Sequence, residues 1–206
     1  MTRLILGLAS YKGGVGKTTS AIHLAGHLAA LGPTLLIDGD RTKSATTWAR
    51  HGSLTFEVAG PTAIARRAGS VDYLVIDSRG GLDDDDLVDL AQNSDLLLLP
   101  SSPELMSLDA MAQTVETLQK HGIPAEQSAV LLTMTRPGRK LNEARDVLNA
   151  MGLRVLESTI RQSEAFRDAS AQGVLVRDVR TNDLARGCWE DYSRVTTEIL
   201  GSGGHV

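Results

Sequence analysis

The stretch that most limits the fold is "RLILGLASYKGGVGKTTSAIHLAGHLAAL" (3–31). It runs from a continuous apolar segment, through a glycine-rich loop, into a helical pattern that stops at Gly32-Pro33. A loop of this kind between a strand and a helix is the setting of a phosphate-binding loop. Gly13, Gly14 and Gly16, with Val15 between them, let the backbone approach an anion without a Cβ in the way. Their N–H groups and the helix start at Lys17 make a concave, positive nest. Lys17 is placed to reach the β- and γ-phosphates, and Thr18, followed by Thr19, offers a hydroxyl to Mg²⁺. The strict pattern G-x-x-x-x-G-K-[ST] fails, because Tyr11 holds the first glycine position. The sequence matches K-G-G-x-G-K-[ST] instead, which adds Lys12, a point charge on a long stem at the mouth of the loop.

The same alternation recurs. Apolar runs at 33–38, 54–59, 72–77, 95–100, 129–135 and 153–159 are of strand length, several of them without polar alternation, as in a sheet buried on both faces. Helical patterns at 104–122, 138–152 and 182–200 lie among them. In the stretch at 104–122, Leu105, Leu108, Met111, Val115 and Leu118 form one stripe. Strand, helix, strand, repeated, predicts a doubly wound, mostly parallel α/β sheet flanked by helices. One domain over 1–200 and a flexible glycine-rich tail, "GSGGHV" (201–206), are expected. Chemistry should then sit at the carboxyl ends of the strands.

Several residues meet that rule. "LLIDGD" puts Asp38 and Asp40 around Gly39 after the second strand. One carboxylate there can orient the attacking water, and either can help hold the metal's water shell. "DYLVID" ends in Asp77, a carboxylate suited to hold Mg²⁺ through water. The acids of "GLDDDDL" (81–87) suit the cap of a following helix. Pro100 and Pro103 predict an extended turn before the next helix. Thr135, with Thr133, offers hydroxyls and Pro137 a flat face, which suits an adenine pocket or a plain strand-to-helix turn.

Composition excludes some rivals. The net charge of −4 carries no global basic excess, and aromatics at 3% do not supply stacking platforms for single strands. Cys188 is the only cysteine, so an iron–sulfur carrier lacks its ligands. The sequence shows no signal peptide and no apolar run of about 20 residues, which makes a cytoplasmic location the expectation.

Together "KGGVGKTTS", "IDGDRTKSATTWARHG", "DYLVID", "LLLLPSSPELMSLDA" and "LLTMTRPGRK" resemble the ParA/MinD family of deviant Walker-motif ATPases, in the family's order and over nearly the whole chain. The short plasmid partition ATPases are the nearest in look. The resemblance implies Mg²⁺-dependent hydrolysis of ATP by a homodimer that sandwiches two nucleotides. It implies that Lys12 reaches the partner subunit's phosphates, that Lys17 and Thr18 hold phosphate and Mg²⁺, that Asp77 supports the metal and that Asp40 serves hydrolysis. It further implies nonspecific DNA binding on the nucleoid, and hydrolysis stimulated by a ParB-type or cargo-adaptor protein. The cargo would be plasmid or chromosome DNA, or a protein assembly such as a microcompartment or chemotaxis cluster. A P-loop metabolic ligase is the remaining alternative. Arg41 and Arg79 stand where the family usually has other residues. The last helical stretch lacks lysine and is not a basic amphipathic anchor, so membrane binding is not expected. Arg161, Arg167, Arg180 and Arg186 are candidates for a phosphate-gripping patch.

Overall fold

The computed structural model describes residues 2–202. Six strands form one sheet: β1 (Leu4–Leu8), β2 (Thr34–Asp38), β3 (Glu57–Ala59), β4 (Tyr73–Asp77), β5 (Leu96–Ser101) and β6 (Ser128–Leu132). Their order is β3-β2-β4-β1-β5-β6, and every pairing is parallel. The helices are α1 (Lys17–Leu28), α2 (Ser44–His51), α3 (Ile64–Arg67), α4 (Asp84–Gln92), α5 (Leu105–Lys120), α6 (Arg139–Ala150), α7 (Ala165–Gln172) and α8 (Ala185–Ser202).

The continuous apolar runs are explained by burial on both faces. In β5, Leu96 and Leu98 join a core formed with α1, α2, α7 and α8, while Leu97 and Leu99 join one formed with α4, α5 and α6. Parallel strands need such cover on both sides. Pro100 fits inside β5 because β1 ends opposite Leu98, so no neighbour on that side asks for its missing N–H. β1 lies at the centre. From β1 the chain passes to β2 and the edge strand β3, returns to β4 between β2 and β1, and then crosses to β5 and β6 on the other side. The loop after β1 therefore opens into the crevice where ligands bind in such sheets.

Three expectations are corrected. The run at 153–159 does not form a strand. It touches β6 only through an isolated bridge, Val130 to Val155. The reason is the Glu198 carboxylate of α8, which accepts from Glu157 N at 2.7 Å and from Ser158 N at 2.9 Å; Ser158 N, two residues after the Leu156 N that bonds Val130 O, is the donor a continued ladder would need. The stripe of α5 begins at Leu108, because Leu105 is 74% exposed; Met111 is buried but Met106 is 73% exposed. Helix α8 runs through Ser202, so Gly201 and Ser202 belong to the helix rather than to a tail; residues 203–206 lie outside the described residues.

Candidate functional site

The loop between β1 and α1 carries Gly14 and Gly16 in the left-handed region, at φ 80° and 81°. Gly16 caps α1, so the first N–H groups of that helix face the concavity. Behind the loop, Thr133 at the end of β6 donates its hydroxyl to Val15 O at 2.8 Å and pins the curl to the sheet.

Lys17 lies in the first turn of α1 and is buried. Its Nζ donates to Asp77 Oδ1 at 2.5 Å and to Ser78 O. Thr18 Oγ1 donates to Asp77 Oδ2 at 2.7 Å. Asp77 ends β4 and is fully buried. Burial raises its pKa; the nearby Lys17 charge and the hydrogen bonds from Lys17 and Thr18 oppose that shift. An ammonium, a hydroxyl and a carboxylate thus meet at the nest, a donor set suited to a polyphosphate and a hard divalent cation. Among the described residues no three His, Cys, Asp or Glu side chains form a metal cage. Mg²⁺ sites built from one or two carboxylates plus phosphates need none.

Asp38 and Asp40 divide their work. Asp38 is buried, and its carboxylate accepts from Asp40 N at 3.2 Å, Thr46 N at 2.8 Å and Thr46 Oγ1 at 2.6 Å. It was expected among the metal-shell carboxylates; those bonds occupy it in shaping the turn between β2 and α2. That turn presents Asp40, which is partly exposed. The Thr42 N–H, first of all, holds the Asp40 carboxyl below its usual range, aided by the Thr42 hydroxyl and the Lys17 charge. Gly39 is needed between them, since a Cβ there would lie 2.9 Å from Asp77 O.

Lys12 stands at the loop mouth, its Nζ donating to Ser107 Oγ at 3.1 Å. Arg79 does not turn toward the loop. Asp83 at the cap of α4, at 2.5 Å, and Asp86 hold its guanidinium. Asp83 also accepts from Asp86 N at 2.9 Å, the expected acidic cap. Arg41 is exposed on the turn after Asp40.

A cavity of about 300 Å³ adjoins the loop at Gly16 and Thr19. It is lined by Thr133 and Met134 on one side, Ile160 to Glu164 on another, and Trp48, Phe166 and Tyr192. Thr135 and Pro137 line a different groove, with Leu141, Ser158 and Arg194, and the Thr135 hydroxyl is turned to Ile160 O at 3.1 Å. The structure thus places the base-sized space next to the segment at 160–167, which the sequence ties to DNA through Arg161 and Arg167 and not to the nucleoside. Beneath the cavity, His23 joins two parts of the chain. Its Nδ1 lies 2.7 Å from Thr19 O and its Nε2 accepts from Val176 N at 3.1 Å, which requires the neutral Nδ1–H tautomer. Burial lowers its pKa to about 4. The ring stacks on Tyr192 and meets Trp48 and Phe166 edge-on.

Of the four arginines proposed for DNA, Arg161 is committed elsewhere. Its guanidinium forks onto the buried Asp191 at 2.6 and 2.8 Å, and Arg194 also binds that carboxylate. Arg167 pairs with Glu164 and Arg186 with Glu190, each at 3.0 Å on the exposed surface, where such pairs are weak. Arg180 is exposed. No helix among the described residues is long and apolar enough to cross a membrane.

A family model, the CobQ/CobB/MinD/ParA nucleotide binding domain, matches residues 6–176. The chain belongs to this family. This ParA/MinD-type protein is 34% identical over 206 aligned positions to the maintenance of carboxysome distribution protein A of Gloeobacter kilaueensis, covering 95% of this chain and 93% of that one. Its fold matches that of a putative plasmid partition protein from Borrelia burgdorferi bound to AMPPNP, with TM-score 0.77, 20% identity, and 97% and 99% of the two chains covered. It also matches the septum site-determining protein MinD of Pyrococcus horikoshii complexed with Mg-ADP, with TM-score 0.70, 19% identity and full coverage of both chains. The doubly wound parallel P-loop fold expected from the sequence is therefore the fold of this chain.

Proposed function

We propose that this protein is an Mg²⁺-dependent ATPase that dimerises on ATP, binds nonspecific DNA in that state, and positions a cargo recognised through an adaptor protein. One P-loop unit over 1–200 suffices for this cycle, which would run in the cytoplasm on the nucleoid. The carrying observation is the junction of Lys17, Thr18 and Asp77 at the glycine nest, with Asp40 presented beside it. Gly13 to Thr19 would cradle the phosphates, and the cavity beside Thr19 would take the nucleoside in preference to Thr135 and Pro137. Lys17 would exchange Asp77 for phosphate oxygens. Thr18 and Asp77 would hold the Mg²⁺, directly and through water, and the ion would offset phosphate charge. Asp40, kept ionised, would orient the attacking water. Lys12 would extend to the partner subunit's phosphates.

The carboxysome distribution protein among the relatives favours a protein assembly as cargo. The plasmid partition protein among the structural neighbours supports plasmid DNA as the second reading. DNA contacts would come from Arg167, Arg180 and Arg186, doubled by dimerisation and read without base contacts. Binding of an arbitrary DNA duplex, measured with ADP and with a nonhydrolysable ATP analogue across a salt series, tests the switch. Binding that needs the analogue and falls steeply with salt is expected. Equal binding in both nucleotides would overturn it.

A further inference from the structure

The two residues in front of Gly13 are each tied to their own subunit. The Lys12 ammonium donates to Ser107 Oγ at 3.1 Å, and Ser107 Oγ shares a hydrogen bond with Ser102 Oγ at 2.8 Å. Ser107 is buried in the first turn of α5. Lys12 borders, with Val15, Pro100, Ser107 and Met111, a gap of about 10 Å³, space for about one water. Tyr11, next to it, donates its hydroxyl to Asp84 Oδ1 at 2.5 Å, and Asp84 also accepts from Thr117 Oγ1 of α5 at 3.1 Å. The front of the loop is thereby anchored on both sides, to α4 and to α5.

We propose that Ser107 is a positioning residue that holds Lys12 back against its own subunit, so that dimerisation must first release this lysine. The inference rests on the reading that Lys12 serves the partner's phosphates. A lysine folded onto its own α5 is not extended across an interface. Only the released fraction of the protein is competent, and the apparent affinity for the dimer-forming nucleotide is reduced by that fraction. The choice of partner makes the hold reversible. A bond from an ammonium to a neutral hydroxyl is weaker than one to a phosphate oxygen, where both partners carry charge. A carboxylate at the Ser107 position would lock the lysine; an alanine would leave it loose. The hydroxyl sets an intermediate threshold.

The test is sedimentation of full-length wild type, Ser107→Ala and Ser107→Cys across a titration of a nonhydrolysable ATP analogue with Mg²⁺, and with ADP. Apo melting temperatures and the rate at which an amine reagent acetylates Lys12, read by mass spectrometry, are measured on the same samples. Both variants are expected to reach half-dimerisation at about fivefold less analogue, the worth of about one hydrogen bond, and to stay monomeric in ADP. Lys12 is expected to react faster in the apo variants than in wild type, with Lys17 unchanged. A purely structural role for Ser107 would shift melting without moving either reading. Ser107→Cys keeps the side-chain volume and decides the matter if the alanine variant does not fold. A wild type that dimerises while the variants show an unchanged or higher midpoint overturns the hold and leaves the sandwich reading standing. A wild type that never dimerises overturns both.

Discussion

Lys17 Nζ and Asp77 Oδ1 meet at 2.5 Å with both side chains buried, so the lysine proposed for phosphate and the carboxylate proposed for the metal neutralise each other across the site. Ligand binding must reorganise this pair instead of filling a passive hole. Lys17→Ala leaves Asp77 buried without its counter-charge, which costs about 3 kcal/mol. Chemical denaturation should show that loss, and calorimetric titration should show ATP-analogue binding weakened at least about tenfold. Wild-type affinity in this variant would remove Lys17 from the phosphate site.

Thr46 is predicted to act on hydrolysis through Asp38. Its hydroxyl and N–H both hold Asp38 Oδ2, and Asp38 in turn receives the Asp40 N–H. Thr46→Val keeps the shape and removes one donor, at about 1 kcal/mol in stability. The turnover rate should fall while analogue affinity stays within about twofold, because the phosphate nest is untouched. Steady-state hydrolysis and titration on the same preparation separate the two. A loss of affinity with unchanged turnover would refute the assignment.

Acid should destabilise the fold through His23. Its folded pKa is about 4, lowered by burial, against about 6.5 for an unfolded histidine. Between those values the unfolded chain binds the extra proton, so stability is full above about pH 6.5 and declines as pH falls toward 4. The loss attributable to this ring reaches about 3 kcal/mol. His27, lowered to about 4 chiefly by burial, adds in the same direction. Replacing His23 with Gln should flatten the profile of denaturation midpoint against pH in that window. A profile as steep as wild type would exclude His23 as the cause.

Arg79, despite standing after Asp77, is predicted to matter little for turnover. Asp83 and Asp86 hold it on the exposed side of the α4 cap. Arg79→Ala should change the hydrolysis rate by less than about twofold. A tenfold fall would show that the arginine leaves its acids and reaches the phosphates.

Most of the nucleotide side was legible because it is local in sequence. A glycine loop between strand and helix, and apolar runs closing on Asp38 and Asp77, each carry their context within a few residues. What was not legible depends on contacts between distant segments. No periodicity announces that Glu198 caps 157–158 and stops a strand, or that the 160–167 segment walls the cavity beside Thr19. Asp38 and Asp40 look alike on paper; only the fold of the turn, through Thr46, gives one a structural task and leaves the other exposed to water. Ser107 and His23 read as an ordinary helix serine and a helix histidine, and gain meaning from Lys12 and Thr19.

The central claim is that ATP, through Lys12, makes two chains into one unit. Sedimentation of wild type and Lys12→Ala, each with Mg²⁺ and either ADP or a nonhydrolysable ATP analogue, tests it most directly. The account predicts a dimer only for wild type with the analogue. A wild type that stays monomeric there, or a Lys12→Ala variant that dimerises equally well, would contradict it.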